Sequence, residues 1–212
     1  MPRKDRKAEI IQAARKLFTS RRFHEVTTDD IAREAKVGKG TLYRYFADKD
    51  DIFFETANSG FDELCRLLRT RVHESAPFEK QLLSACENMG AFFEQRHRFI
   101  RMMQSAEGPM PSISAKRRER FAAKRSELVS AVALILGRGV AGGKIRGDIP
   151  ATVLSSLLLA MLVARDRFME DAAGTKERYK LVIDVFMNGA SGGRGPKPAG
   201  RPTRDGEDRR KQ

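Results

Sequence analysis

The stretch from Thr27 to Lys49, TTDDIAREAKVGKGTLYRYFADK, constrains this chain more than any other. It predicts two very short helices, a tight turn between them and the opening turn of a third. Thr27 and Thr28 suit a helix start, where their hydroxyls accept from free amides, and Asp29 and Asp30 suit its positive end. Ile31, Ala32 and Ala35 fall at helical spacing and can pack inward. Lys36-Val37-Gly38 interrupts the pattern, and a second helix is expected over Lys39 to Phe46. Leu42 and Phe46 lie four apart and share its buried face. Lys39, Gly40, Thr41, Tyr43, Arg44 and Tyr45 face outward. A helix this short is not stable alone in water, so neighbours must hold it from behind. An ordinary solvated face would favour Glu, Gln and Ala. Two cations, hydroxyls, two phenols and a Gly that admits a close approach are instead the chemistry of a helix laid in a DNA major groove.

Lys49 extends this pattern. Asp48 is placed as the N-cap of the next helix, so Lys49 sits at its first position, against the dipole, at a cost of a few tenths to about 1 kcal/mol. A phosphate over that helix end would offset the cost, because free amides and the ammonium would both reach it. The neighbouring carboxylates of Asp48, Asp50 and Asp51 would offset it too.

The run Phe18, Phe23, Thr27, Thr28, Ile31, Ala32, Ala35, Val37, Lys39, Gly40, Thr41, Leu42, Tyr43, Phe46, Lys49 and Ile52-Phe53 resembles the DNA-binding domain of the tetracycline-repressor (TetR) family of one-component bacterial regulators. The resemblance covers roughly residues 8 to 55; beyond it only the helical architecture matches. Two positions depart from the family pattern. Lys36 stands where the family mostly has a turn Gly, which asks a non-Gly residue to adopt positive φ. Gly38 stands where a Ser usually caps the recognition helix.

The chain has 212 residues, 41% of them hydrophobic and 33% charged, with no Trp and no strand-like alternation, so it reads as all-α. A DNA-binding domain is expected over 1–49, linked through a long helix at 48–74 to a larger helical domain over 50–190, with a basic tail at 191–212 expected to be disordered. Of the net charge of +13, residues 1–49 carry +6 and the tail +4, which concentrates positive charge where phosphates would bind. Residues 2–7, PRKDRK, form a basic arm that either follows DNA or ends solvated.

Cys65 and Cys86 fall in different helices without a CxxC spacing, and reduced thiols in a cytoplasm are expected. The N-terminus lacks a signal peptide's apolar stretch, and the longest apolar run, Ala151 to Ala164, is too short to span a bilayer, so no membrane association is expected. His24, His73 and His97 lack metal-ligand spacing, neither Cys sits in a nucleophile motif, and no Gly-rich loop follows a strand. No catalytic residue, metal or cofactor is therefore expected.

Further helices are expected over 5–20, 77–95, 97–106, 112–138, 150–170 and 175–188, with a Gly/Pro loop at 107–111 and a looser point in the long helix near Asn58-Ser59-Gly60. The basic first half of the 112–138 helix, KRRERFAAKR, reads as a solvated face. Met89, Phe92, Phe93, Phe99, Met102, Met103, Met110, Phe121 and Leu128 are core-forming residues singly. Together they are the residue types that line an adaptable cavity, and the family resemblance implies a small-molecule effector pocket among them. The segment VLSSLLLAMLVA is apolar nearly all round and must be covered on more than one side. With the helix that follows, it predicts an isologous homodimer contact through Leu154, Leu157, Leu158, Met161, Tyr179, Val182, Ile183 and Phe186. The resemblance implies the same two helices as the contact.

These readings converge on a ligand-responsive repressor that binds a pseudo-palindromic double-stranded operator as a homodimer. Thr28, Tyr43, Tyr45 and Lys49 are assigned to phosphates, Lys39, Thr41 and Arg44 to base edges, and Gly40 to close approach. The alternative is a basic nucleic-acid-binding protein without sequence specificity, for which charge alone would suffice.

Overall fold

Each helix of the N-terminal third begins where a side chain or carbonyl supplies the missing acceptor. The computed structural model describes residues 5–96, 100, 114–168 and 175–190. Asp5 accepts from the Ala8 amide at 3.2 Å and starts α1, Arg6–Ser20. After a 3₁₀ turn at Phe23–Glu25, Thr27 and Asp30 cap α2, Thr28–Glu34, reciprocally: the Asp30 amide donates to Thr27 Oγ1 at 3.1 Å and the Thr27 amide to Asp30 Oδ2 at 3.2 Å. α3 spans Lys39–Tyr45, and α4, capped by Asp48, spans Lys49–Arg71. The larger domain follows as α5 (Phe78–Gln95), α6 (Ala115–Ala141), α7 (Ala151–Phe168) and α8 (Thr175–Ala190). The described residues contain no strand. The expected helix at 97–106, its following loop and the tail lie outside the described residues, apart from helical Ile100.

Two hydrophobic cores share α4. The first gathers Ile10, Ala14, Phe18, Val26, Ile31, Leu42, Phe46, Ile52, Phe53 and Ala57; the second begins at Leu64 and gathers Leu68, Leu82, Cys86, Met89, Leu128, Leu136, Leu158 and Phe186, among others. α4 runs unbroken through Asn58-Ser59-Gly60, contrary to the looseness expected there. Thr56 and Ser59 return their hydroxyls to the carbonyls of Ile52 and Thr56, and Gly60 gives room to Phe92, whose Cζ would lie 3.5 Å from an added Cβ. A chain of aromatic rings crosses from one core toward the other, Phe18 to Phe53 at 5.1 Å, Phe53 to Phe54 at 5.8 Å, Phe54 to Phe121 at 6.2 Å and Phe121 to Phe61 at 5.2 Å.

Ion pairs bind the same three layers. Glu55 of α4 is buried and accepts from Lys7 of α1 at 2.8 Å and from Arg120 of α6 at 2.7 Å. Two turns on, Glu63 accepts from Arg15 of α1 at 2.7 Å and from Arg96, just past α5, at 3.0 Å. The basic half of α6 is thus not simply solvated. Arg117, Arg120 and Lys124 recur on one face and meet the acidic edge of α4 at Asp48 and Asp51, Glu55, and Asp62. Lys116, Arg118 and Arg125 are exposed, and Arg120, though paired with Glu55, keeps 60% of its side chain in solvent.

Candidate nucleic-acid interface

The turn between α2 and α3 is closed by an unusual residue. Lys36 adopts φ 53°, the only positive value at a non-Gly residue among those described. Its amide donates to the Arg33 carbonyl at 3.1 Å, and the Val37 amide reaches back to Ala32 at 3.0 Å, which ends α2 as a glycine would. Gly38 then caps α3 without a side-chain bond, its carbonyl accepting from the Thr41 amide at 2.9 Å and from Leu42 at 3.1 Å.

Behind α3, Leu42 and Phe46 are fully buried against Ile10, Phe18, Ile31 and Phe53. In front, Lys39, Gly40, Tyr43, Arg44 and Tyr45 are exposed and Thr41 is half-buried. An added Cβ at Gly38 or Gly40 would meet nothing within 4 Å, so both positions leave open space around the start of α3. The face is ordered by its own contacts. Tyr43 and Thr28 share a hydroxyl–hydroxyl hydrogen bond at 3.1 Å, linking α3 to the start of α2. Arg44 lies over the Tyr45 ring at 5.5 Å from its centroid. Lys39 pairs with Asp29 at 2.8 Å, and that bond raises the lysine's affinity for its proton. Sequence reasoning missed Asp29 as a partner, because no helical period connects residues ten apart across a turn.

Lys49 occupies the first position of α4, as expected, but it is not simply aimed outward. Its ammonium donates to the Phe23 carbonyl at 3.0 Å and lies 4.2 Å from the centroid of the Phe23 ring. Partial burial lowers its pKa, and the charge of Asp50 works the other way. Burial alone would raise the Asp48 carboxyl. The Arg117 guanidinium and the Asp51 amide that it accepts from hold it below its ordinary range instead. Asp50 is raised, first by burial and then by the charge of Asp48.

The other two groups of predicted site residues are rearranged. Met89, Phe92, Phe93 and Leu128 are buried in the second core, while Phe121 packs on Phe54 and Phe61 beside the first. Phe121 lies two turns into α6, level with the N-terminal half of α4, so it does not join the others. Phe99, Met102, Met103 and Met110 lie outside the described residues, as do Arg3, Lys4, Arg98, Arg101 and Glu107.

On α7 and α8, Leu154, Leu158, Tyr179, Val182 and Phe186 turn inward and are buried in their own subunit, and Met161 and Ile183 are half-buried. Leu154, Leu158, Tyr179, Val182 and Phe186 are thus taken up by the core of their own subunit. The faces left open are Val153 with Leu157, and Leu181 with Val185, each pair four residues apart and 44–54% exposed. An all-round apolar helix gives no sequence signal for which side stays open, and of these four only Leu157 is among the expected contact residues.

Among the described residues no cluster of His, Cys, Asp and Glu could hold a metal, and no helix is long and apolar enough to cross a membrane. An open cleft of about 690 Å³ lies between α1, the end of α2 and the end of α5, lined by Arg15, Lys16, Glu34, Lys36 and Arg96 and by none of the predicted Met/Phe group, although Arg96 stacks on the Phe92 ring.

Comparison with known proteins agrees with this geometry. The family model of bacterial regulatory proteins, tetR family, matches residues 10–56, the segment that builds the first core and α3. The HTH-type transcriptional regulator HbdR of Aromatoleum sp. (strain CIB) is 48% identical over 58 residues, 27% of this chain and 25% of that protein. The chain spans 25% to 47% of the length of four curated regulators that it matches. Over nearly the whole fold it is similar to the fatty acid degradation regulator FadR of Bacillus halodurans, with a TM-score of 0.71, 16% identity and coverage of 88% of this chain and 97% of that one. FadR of Bacillus subtilis, solved with stearoyl-CoA, gives a TM-score of 0.69 at 17% identity, covering 86% and 98%. Residues 10–56 thus carry the helix-turn-helix segment of the tetR family of bacterial regulatory proteins, and the fold of the chain is similar to those of solved regulators of that family.

Proposed function

We propose that this chain is a cytoplasmic, ligand-responsive transcriptional regulator that binds a pseudo-palindromic operator as a homodimer and is released by a small-molecule effector. The observation that carries the reading is the two-sided nature of α3. Leu42 and Phe46 are sealed in the first core, while Lys39, Gly40, Tyr43 and Arg44 stand open on the side away from it. Two such helices, about 34 Å apart on one side of a duplex, would enter successive major grooves. Thr28, Tyr43, Tyr45 and Lys49 would set register on phosphates, and Lys39, Thr41 and Arg44 would read base edges, Lys39 first exchanging Asp29 for the duplex. Val153, Leu157, Leu181 and Val185 would form the centre of the subunit contact, an apolar patch that a second copy covers by two-fold symmetry. An effector acts through a difference in its affinity for the DNA-competent and DNA-incompetent states. The larger domain, where the second core lies against α4, is its place in this reading.

Selection of bound sites from random duplexes is the direct test, with a two-fold symmetric site as the expected product. Arg44→Ala should then relax base preference at one position per half-site. Lys49→Ala should weaken all duplexes alike and flatten the salt dependence by about one unit. A selection that returns no symmetric site, or equal sequence-blind losses from both variants, would favour the nonspecific basic protein. An effector screen on the bound complex should include stearoyl-CoA, the ligand solved with the B. subtilis neighbour.

A further inference from the structure

The first turn of α4 is acidic at the place where operator binding needs a phosphate. Asp48, Asp50 and Asp51 surround Lys49, three carboxylates against one ammonium, and that ammonium is drawn back onto the Phe23 carbonyl. Two amides beside this turn are also taken by its carboxylates. The Asp51 amide donates to Asp48 Oδ1 at 2.6 Å, and the Ala47 amide donates to Asp51 Oδ2 at 3.1 Å. Left to itself, this turn would repel a DNA backbone. The compensating charge comes from 69 residues away. Arg117, one turn into α6, donates to Asp48 Oδ2 at 2.9 Å and lies 3.7 Å from Asp51 Oδ1, with its side chain only 26% exposed. The ladder continues down the α4–α6 seam through Arg120 on Glu55 and Lys124 on Asp62.

We infer that Arg117 sets the protein's affinity for DNA without touching it, by neutralising Asp48 and Asp51 so that a backbone phosphate can approach Lys49. Because Arg117 belongs to the larger domain, this neutralisation holds only while α6 lies against α4. A conformation that draws α6 away uncovers two carboxylates beside the duplex, and release becomes electrostatic as well as geometric. The inference rests on the operator-binding reading above.

Titration of a selected operator and of random DNA with wild-type protein, Arg117→Gln, Arg117→Lys, Asp48→Asn and the Arg117→Gln/Asp48→Asn double variant tests it. Asn caps a helix as well as Asp does, so Asp48→Asn changes charge and leaves the cap. Arg117→Gln should weaken both DNAs about five- to tenfold at low salt, with the loss shrinking as salt screens the carboxylates. Arg117→Lys should keep most of the affinity, and Asp48→Asn should restore most of what Arg117→Gln loses. An unchanged affinity for Arg117→Gln, or a loss that Asp48→Asn does not recover, overturns the inference; the second result would mean that Arg117 only shapes the fold. Wild-type binding in the same titration separates the two levels, since its absence would sink the operator reading and this one with it.

Discussion

The core around Phe18, Leu42 and Phe53 and the core around Met89, Leu136 and Leu158 both close on α4, yet they draw on the chain in different ways. The first is assembled almost entirely from residues 10–57, in helices of 15, 7 and 7 residues and the start of α4. The second spans residues 64–186 and is built from helices of 16 to 27 residues together with the far half of α4. Helices of two turns have little stability of their own, so the small core lives on a few anchors and the turn chemistry between them. The large core spreads its stability over many side chains brought together from distant parts of the chain. The reader is thus the more fragile unit, and the larger domain is the frame that holds it.

Leu42→Ala tests this contrast with the largest expected effect. It removes the inward anchor of α3 from a fully buried site and should cost about 2–5 kcal/mol. Thermal unfolding followed by helical signal should split into two steps, with DNA affinity lost in the first while most helix remains. A single cooperative transition would show that the cores do not melt separately, and the contrast would fail.

A second test acts on the large core alone. Burial pushes the Cys86 thiol up to about 12, and the small core contains no cysteine. Unfolding returns the thiol to its ordinary value of about 8.5, so across the interval between them the unfolded chain releases a proton that the native state keeps. The contribution is fully present below the unfolded value and is lost as pH rises toward 12. Urea midpoints of the larger domain should therefore fall more steeply from pH 8 to pH 10.5 in the wild type than in Cys86→Ala. Equal slopes would remove Cys86 from the account.

The smallest effect sharpens the comparison at the reader itself. Gly38 has φ −71° and ψ 150°, a conformation open to any residue, with no neighbour near a Cβ. Gly38→Ser should supply the missing cap of α3 and raise the first transition by a few tenths of a kcal/mol, leaving the second where it was. A shift in both transitions would mean that α3 reports on the whole molecule.

The same contrast explains how much could be read in advance. The small domain was legible because its determinants are local. Thr27 caps with Asp30 three residues on, Leu42 and Phe46 share a face four residues apart, and Lys36 takes the positive φ that the turn demands. The partners of Arg117, Arg120 and Lys124 were not legible, since a basic run carries no mark of the acidic helix edge it will meet some sixty residues away. Phe121 was grouped with the Met/Phe residues by type, whereas the start of α6 sets its level along α4. On α7 nearly every position is apolar, so Leu154 and Leu158 could not be told from Val153 and Leu157 until the neighbouring helices were in place.

Glu55 and Glu63 stand eight residues apart on α4, and the α1 cations they hold, Lys7 and Arg15, are also eight apart. The two clasps therefore engage in one register along parallel helices, about 12 Å from each other. An axial slip of α1 along α4 would pull on both at once, so the two pairs resist it together. Such a joint favours repositioning of the whole reader as one piece.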